Sequence, residues 1–183
     1  MTTTSRILTL AATAALAFGL SACSGSAAPA GSATTTPSPT TAASVVTDAA
    51  CTDDEGVTLV VDASALEGGE KTEHCLATSD AVTAGDAFTT AGFETEGTTE
   101  YGDQVVCRVD GLPSATEPVG STEDPAYVEA CEAMPAAFAY WSLWVKPAGG
   151  DWDYAQEGLA TQQVAPGDSV ELLFTLDGAP AAP

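Results

Sequence analysis

All three tryptophans of the chain lie between Phe138 and Tyr154, in the run FAYWSLWVKPAGGDWDY, although aromatic residues make up only 7% of the sequence. Rings gathered this way have two uses. They bind flat or sugar-like ligands by stacking and apolar contact, or they fill a core. Read as a strand, the run sends Phe138, Tyr140, Ser142 and Trp144 to one face and Ala139, Trp141, Leu143 and Val145 to the other. Trp152 or Tyr154 would then neighbour Tyr140 and Trp144 across the sheet. Two readings follow. Either Tyr140, Trp144, Trp152 and Tyr154 form an open ligand-binding shelf, or that face is covered by the acidic stretch from Ser114 to Pro135 and the rings are packing.

Covalent chemistry has less to draw on. A nucleophile needs a base within reach, and the sole histidine, His74, stands beside Cys75 and reads as an exposed strand residue. Acids are so frequent that no pair stands out as acid and base. Arg108, on a predicted strand, could meet an anionic ligand, but reads first as the partner of a nearby acid on the solvent face. The expectation is a protein that is not an enzyme.

The acids number 26 against four Lys and Arg, a formal net charge of −22. Such a surface repels phosphate backbones and anionic lipid headgroups, so nucleic acid is a poor partner. TDDEG (Thr52 to Gly56) and GDWDY (Gly150 to Tyr154) lack the oxygen-ligand spacing of a calcium loop. They read as solvated loops, and no metal or cofactor is expected.

The five cysteines divide by position. Cys23 closes the tetrad LSAC, which follows the apolar run ILTLAATAALAFGL (Ile7 to Leu20) and a short n-region with one cation, Arg6. The run has the length of a signal-peptide core and is too short for a membrane span. The tetrad resembles the lipobox of bacterial lipoproteins, which implies that residues 1–22 are a removed signal peptide. Cys23 would then carry acyl chains, palmitate among them, holding the protein to the extracytoplasmic face of a cell membrane. Residues 24–50 are mostly Ser, Ala, Thr, Gly and Pro with almost no charge, too poor in apolar surface to offset the entropy of ordering. As a flexible tether such a length spans roughly 30 Å.

The other four, Cys51, Cys75, Cys107 and Cys131, are an even set in an exported chain and read as two disulfides. Three pairings are possible; spacing favours Cys51 with Cys75 and Cys107 with Cys131, each closing a local loop.

Residues 51–178 are one domain by length, and 179–183 a frayed tail. Strands are expected at Gly56–Ser64, about 70–76, Asp103–Gly111, Phe138–Val145, about 152–156 and Ser169–Leu176. One helix is expected from Ala81 to Ala91, capped within Thr78–Asp80 and stopped by Gly92, with Ala81, Ala84, Phe88 and Ala91 on one stripe. A further helical turn is expected near Tyr127–Cys131. Together they suggest an α+β domain, one helix packed on a mostly antiparallel sheet.

The succession VTLVVDAS, TTAGF, VVCRVDGLP, then AYWSLWVKPAGGDWDY and APGDSVEL resembles the transcobalamin-like C-terminal domain family, in particular its exported bacterial branch. The resemblance spans nearly all of 51–178. It implies a small β-grasp-like α+β fold and a non-catalytic role in holding a small ligand. The best-known members form one half of a clamp on cobalamin, and many bacterial relatives are lipoproteins. The large helical domain that forms the other half has no counterpart in this sequence. The expected function is therefore surface-anchored capture of a small, cobalamin-like nutrient, with a structural or protein-interaction module of the cell envelope as the alternative.

Overall fold

The computed structural model describes residues 45–178 and 182–183. The expected signal peptide, Cys23, most of the expected tether and residues 179–181 of the expected tail lie outside the described residues.

Ten strands and one helix make up the described chain. Six strands form the main sheet, in the order β1 (Val46–Thr47), β3 (Lys71–Ala77), β2 (Gly56–Asp62), β10 (Ser169–Leu176), β7 (Ala139–Lys146), β8 (Asp153–Tyr154). The central pair, β2 with β10, is parallel, and the other neighbours are antiparallel. Two small two-stranded sheets join β4 (Val82–Thr83) to β9 (Gln163–Val164) and β5 (Thr95–Thr98) to β6 (Gly102–Val109). The domain start expected at residue 51 moves back, because Val46 and Thr47 pair with Leu76 and Cys75.

The α+β, β-grasp-like expectation is corrected: the described fold is mostly β, with several sheets and one short helix. That helix, α1, runs only from Ala84 to Thr90. Val82 and Thr83 are held extended against β9, so the Thr83 hydroxyl, not Thr78–Asp80, caps the helix by accepting from the Asp86 N–H at 3.1 Å. Gly92, at φ 95°, follows its end. Seven residues of helix span about 10 Å, whereas an eight-residue strand such as β7 runs to about 26 Å. A helix that short cannot roof the sheet. Ala84, Ala87 and Phe88 therefore share the core with loop residues Leu66, Val119 and Leu159. The helical turn expected near Cys131 is absent; Cys131 has φ 56°.

Alternation along the central strands divides the sheet as its pleat requires. Val57, Leu59 and Val61 of β2, Val170, Leu172 and Phe174 of β10, and Ala139 and Trp141 of β7 enter the core. The Trp141 indole also donates to the Leu112 carbonyl at 3.1 Å and meets Phe174 edge-on at 5.3 Å. The opposite face carries Val60, Glu171 and Trp144 in one cross-strand row.

β5 and β6 meet across a bulge that only glycine permits. A Cβ on Gly97 would lie 2.3 Å from the Gly102 carbonyl oxygen.

Candidate functional site

The two disulfides are Cys51–Cys75 and Cys107–Cys131, the pairing that spacing favoured. The first ties the chain beside β1 to β3; the second ties β6 to the acidic excursion. Glu96, Cys107 and Cys131 lie close together, but the two sulfurs are bonded to each other and are no thiolate ligands.

The excursion packs chiefly with the core, and only its end, Met134 and Pro135, reaches Tyr140 on the second face. Val119 and Tyr127 pack with the core on the Trp141 side, and Tyr127 meets Phe138 edge-on at 5.2 Å. Besides the disulfide, Arg108 helps fix the excursion; its side chain is 9% exposed and therefore not a solvent-face residue. It donates to the Pro113 carbonyl at 2.7 Å, to the Glu129 carbonyl at 2.8 Å and to the Glu96 carboxylate. These partners engage each of its three nitrogens and set its charge against Glu96, so its role here is to hold the chain together.

The four rings expected to make one shelf divide. Trp144 is buried, 6% exposed, because the Tyr154 ring lies over it at 4.1 Å. The register brings them together, Trp144 standing opposite Tyr154 on β8. Its indole N–H donates to Ser142 Oγ at 3.0 Å, and Ser142 in turn donates to the Leu173 carbonyl. Trp144 thus has no face left for a ligand. Trp152 lies apart, on a separate hollow of about 370 Å³ beside Lys71, Lys146 and Glu171.

Glu171 is 1% exposed and its carboxylate is held by Lys71 at 3.2 Å, and the same ammonium lies 3.5 Å from the Asp62 carboxylate. Burial raises the Glu171 carboxyl above its ordinary value despite the pull of Lys71. Nothing in its sequence context marked this residue except the alternation of β10, which puts it on the second face.

Tyr140 and Tyr154 remain available. They stand at the rim of a cleft of about 630 Å³ that opens between the outer edge of β7 and residues Gln104–Val106 of β6, floored by Trp141 and Leu143. Desolvation, then the neighbouring Tyr140 phenol, pushes the Tyr154 hydroxyl up to about 12, so it is a neutral hydrogen-bonding group across the physiological range. A second hollow of about 320 Å³, largely apolar and walled by Met134, Pro135 and Ala137, adjoins the cleft through Val105, Tyr140 and Trp141. Sequence reading missed Gln104, Val105 and Met134, which come from segments distant along the chain and show no pattern tying them to the aromatic run.

His74 is partly buried rather than exposed: its ring packs on Phe93 at 4.9 Å, and Nδ1 lies 3.9 Å from the Asp48 carboxylate. Asp48 is almost fully exposed. The pair is remote in sequence from the groups that line the cleft and brings no nucleophile with it.

Compared with family models, curated proteins and solved structures, the chain matches none of them.

Proposed function

We propose that the protein is an exported, lipid-anchored binding module that carries out no covalent chemistry and takes its ligand in the cleft beside β7. One observation carries the reading: a cleft of about 630 Å³ is rimmed by two tyrosines and floored by apolar side chains. Pockets of this size and lining suit a small or narrow ligand. The signal-like segment and the lipobox-like LSAC support export and anchoring through Cys23 to the extracytoplasmic face of a membrane. The sequence resemblance to transcobalamin-like domains supports a capture role, and cobalamin belongs among the ligands tried.

The test is intrinsic fluorescence of the full chain in detergent, cysteines oxidised, titrated with cobalamin, sugars and aromatic heterocycles, with correction for absorbing ligands. Saturable quenching that disappears in Tyr140→Ala while the melting temperature holds supports the reading. Titrations equally flat before and after the substitution, with peptide ligands flat too, overturn it in favour of an envelope module with no ligand in this cleft.

A further inference from the structure

The cleft runs along an unfinished sheet edge. β7 is eight residues long, yet β8 pairs only with Trp144 and Val145 before the chain turns away. Two hydrogen bonds fix which way the backbone of β7 points. The Phe138 carbonyl accepts from Asp177 on the β10 side at 2.7 Å, and the Leu143 carbonyl accepts from Ala155 on the outer side at 2.9 Å. By alternation, Trp141 turns both its N–H and its C=O outward, into the cleft, where no strand pairs with it among the described residues. Sheet edges in this condition accept an added strand.

The walls state what the strand should carry. Among the described residues, no lysine or arginine lines the cleft or the adjoining hollow, and the one charged side chain there is Glu157, which is exposed. The cleft belongs to a chain of net charge −22. The hollow offers apolar surface at Met134, 63% exposed, and at Ala137 and Tyr140.

We propose that the ligand of this cleft is an extended, basic polypeptide segment that adds a strand to the outer edge of β7 at Trp141, seats an apolar side chain in the Met134 hollow and places a Lys or Arg beside Glu157. This names the occupant of the cleft assigned above and rests on that assignment. Backbone pairing supplies affinity, and the hollow and Glu157 select alternate side chains. The acidic surface steers the cationic segment in and makes its capture depend on salt.

The probe is an acetylated, amidated octapeptide alternating lysine with valine and leucine, titrated by calorimetry into the full chain in neutral detergent. Controls are its glutamate counterpart and a version N-methylated on the residues that face β7. Saturable binding is expected, about tenfold weaker after N-methylation, the loss set by one or two backbone hydrogen bonds. Glu157→Lys and Met134→Arg, both at exposed positions, should weaken it while leaving the melting temperature unchanged. Equal binding of the N-methylated or glutamate peptide overturns the proposal. So does silence toward peptides where a small molecule quenches Trp fluorescence, an outcome that leaves the binding-module reading standing. Silence toward both classes removes both.

Discussion

Trp144 and Tyr154 lie face to face, ring centres 4.1 Å apart and planes 29° from parallel. The stack closes the second face of the sheet at its edge, so Tyr154→Ala should open Trp144 to water. We expect a red-shifted emission and a stability loss of about 1 kcal/mol, the scale of one aromatic pair. Emission that stays blue would mean that another group shields the indole.

Arg108 gives the second prediction. Arg108→Ala leaves the Pro113 and Glu129 carbonyls without their donor and should cost about 2–4 kcal/mol. Arg108→Lys should recover little of this, since one ammonium cannot reproduce the planar fork. Denaturant unfolding of the two variants decides it; a lysine variant as stable as the parent would show that charge alone suffices.

Each disulfide spans 24 residues of sequence. Replacing Cys107 and Cys131 together by serine should lower stability by about 3.5 kcal/mol on the chain-entropy argument. The same double change at Cys51 and Cys75 should act by a similar amount. Thermal unfolding of the two variants side by side tests whether loop closure or local strain governs the effect.

The fourth prediction concerns pH. Because burial raises the Glu171 carboxyl above its ordinary 4.5, the folded chain holds that proton more tightly than the unfolded one. Its linkage therefore adds stability as pH falls and withdraws it as pH rises from 4.5 through the folded value. Lys71 acts in another window. Desolvation lowers it, but Glu171 and Asp62 outweigh that and raise it, so its contribution is present below 10.5 and fades as pH climbs through the folded value. Asp62 is lowered by its Ser64 and Lys71 partners against the effect of burial, so its contribution is lost on acidification below 3.8. Glu171→Gln should remove the first dependence. Melting temperatures of variant and parent, compared between pH 4.5 and 7, should draw together toward the acidic end if the direction is right after allowing for a constant offset, or diverge if it is not.

Long strands were legible from sequence because their patterns are strong. VTLVV, the Cys-bearing 103–111 segment, the Tyr-Trp run and SVELLFTL all appear near their expected bounds. Of the short elements only β8 was anticipated, at about 152–156; β1, β4 and β9 also have two residues each, too few to alternate, and their pairing is set by distant chain. β5 was hidden by Gly97, a residue that usually signals a turn but here permits the close approach of Gly102. The fold class went astray for a related reason, since an apolar stripe said where a helix would start to form without saying that Thr83 would be held by β9. At the site, alternation placed Tyr140 and Trp144 on one face correctly. It also offered Tyr154 as a cross-strand neighbour of Trp144, which the register bears out, but it could not show that the one ring would bury the other, or that Val105 and Met134 would line a cleft with Tyr140.

β1 and the Cys51–Cys75 bond also define how the domain meets a pull. Tension arriving from the N-terminal side reaches the two-residue pairing of Val46 and Thr47 first and can peel it from β3 one residue at a time. A few residues on, the pull meets a covalent bond at Cys51, which hands the force to Cys75 within the β3 strand itself. Extension stops there. A chain held at its N-terminal end would thus lengthen first by the few residues of β1, before any load reaches the sheet behind the bond.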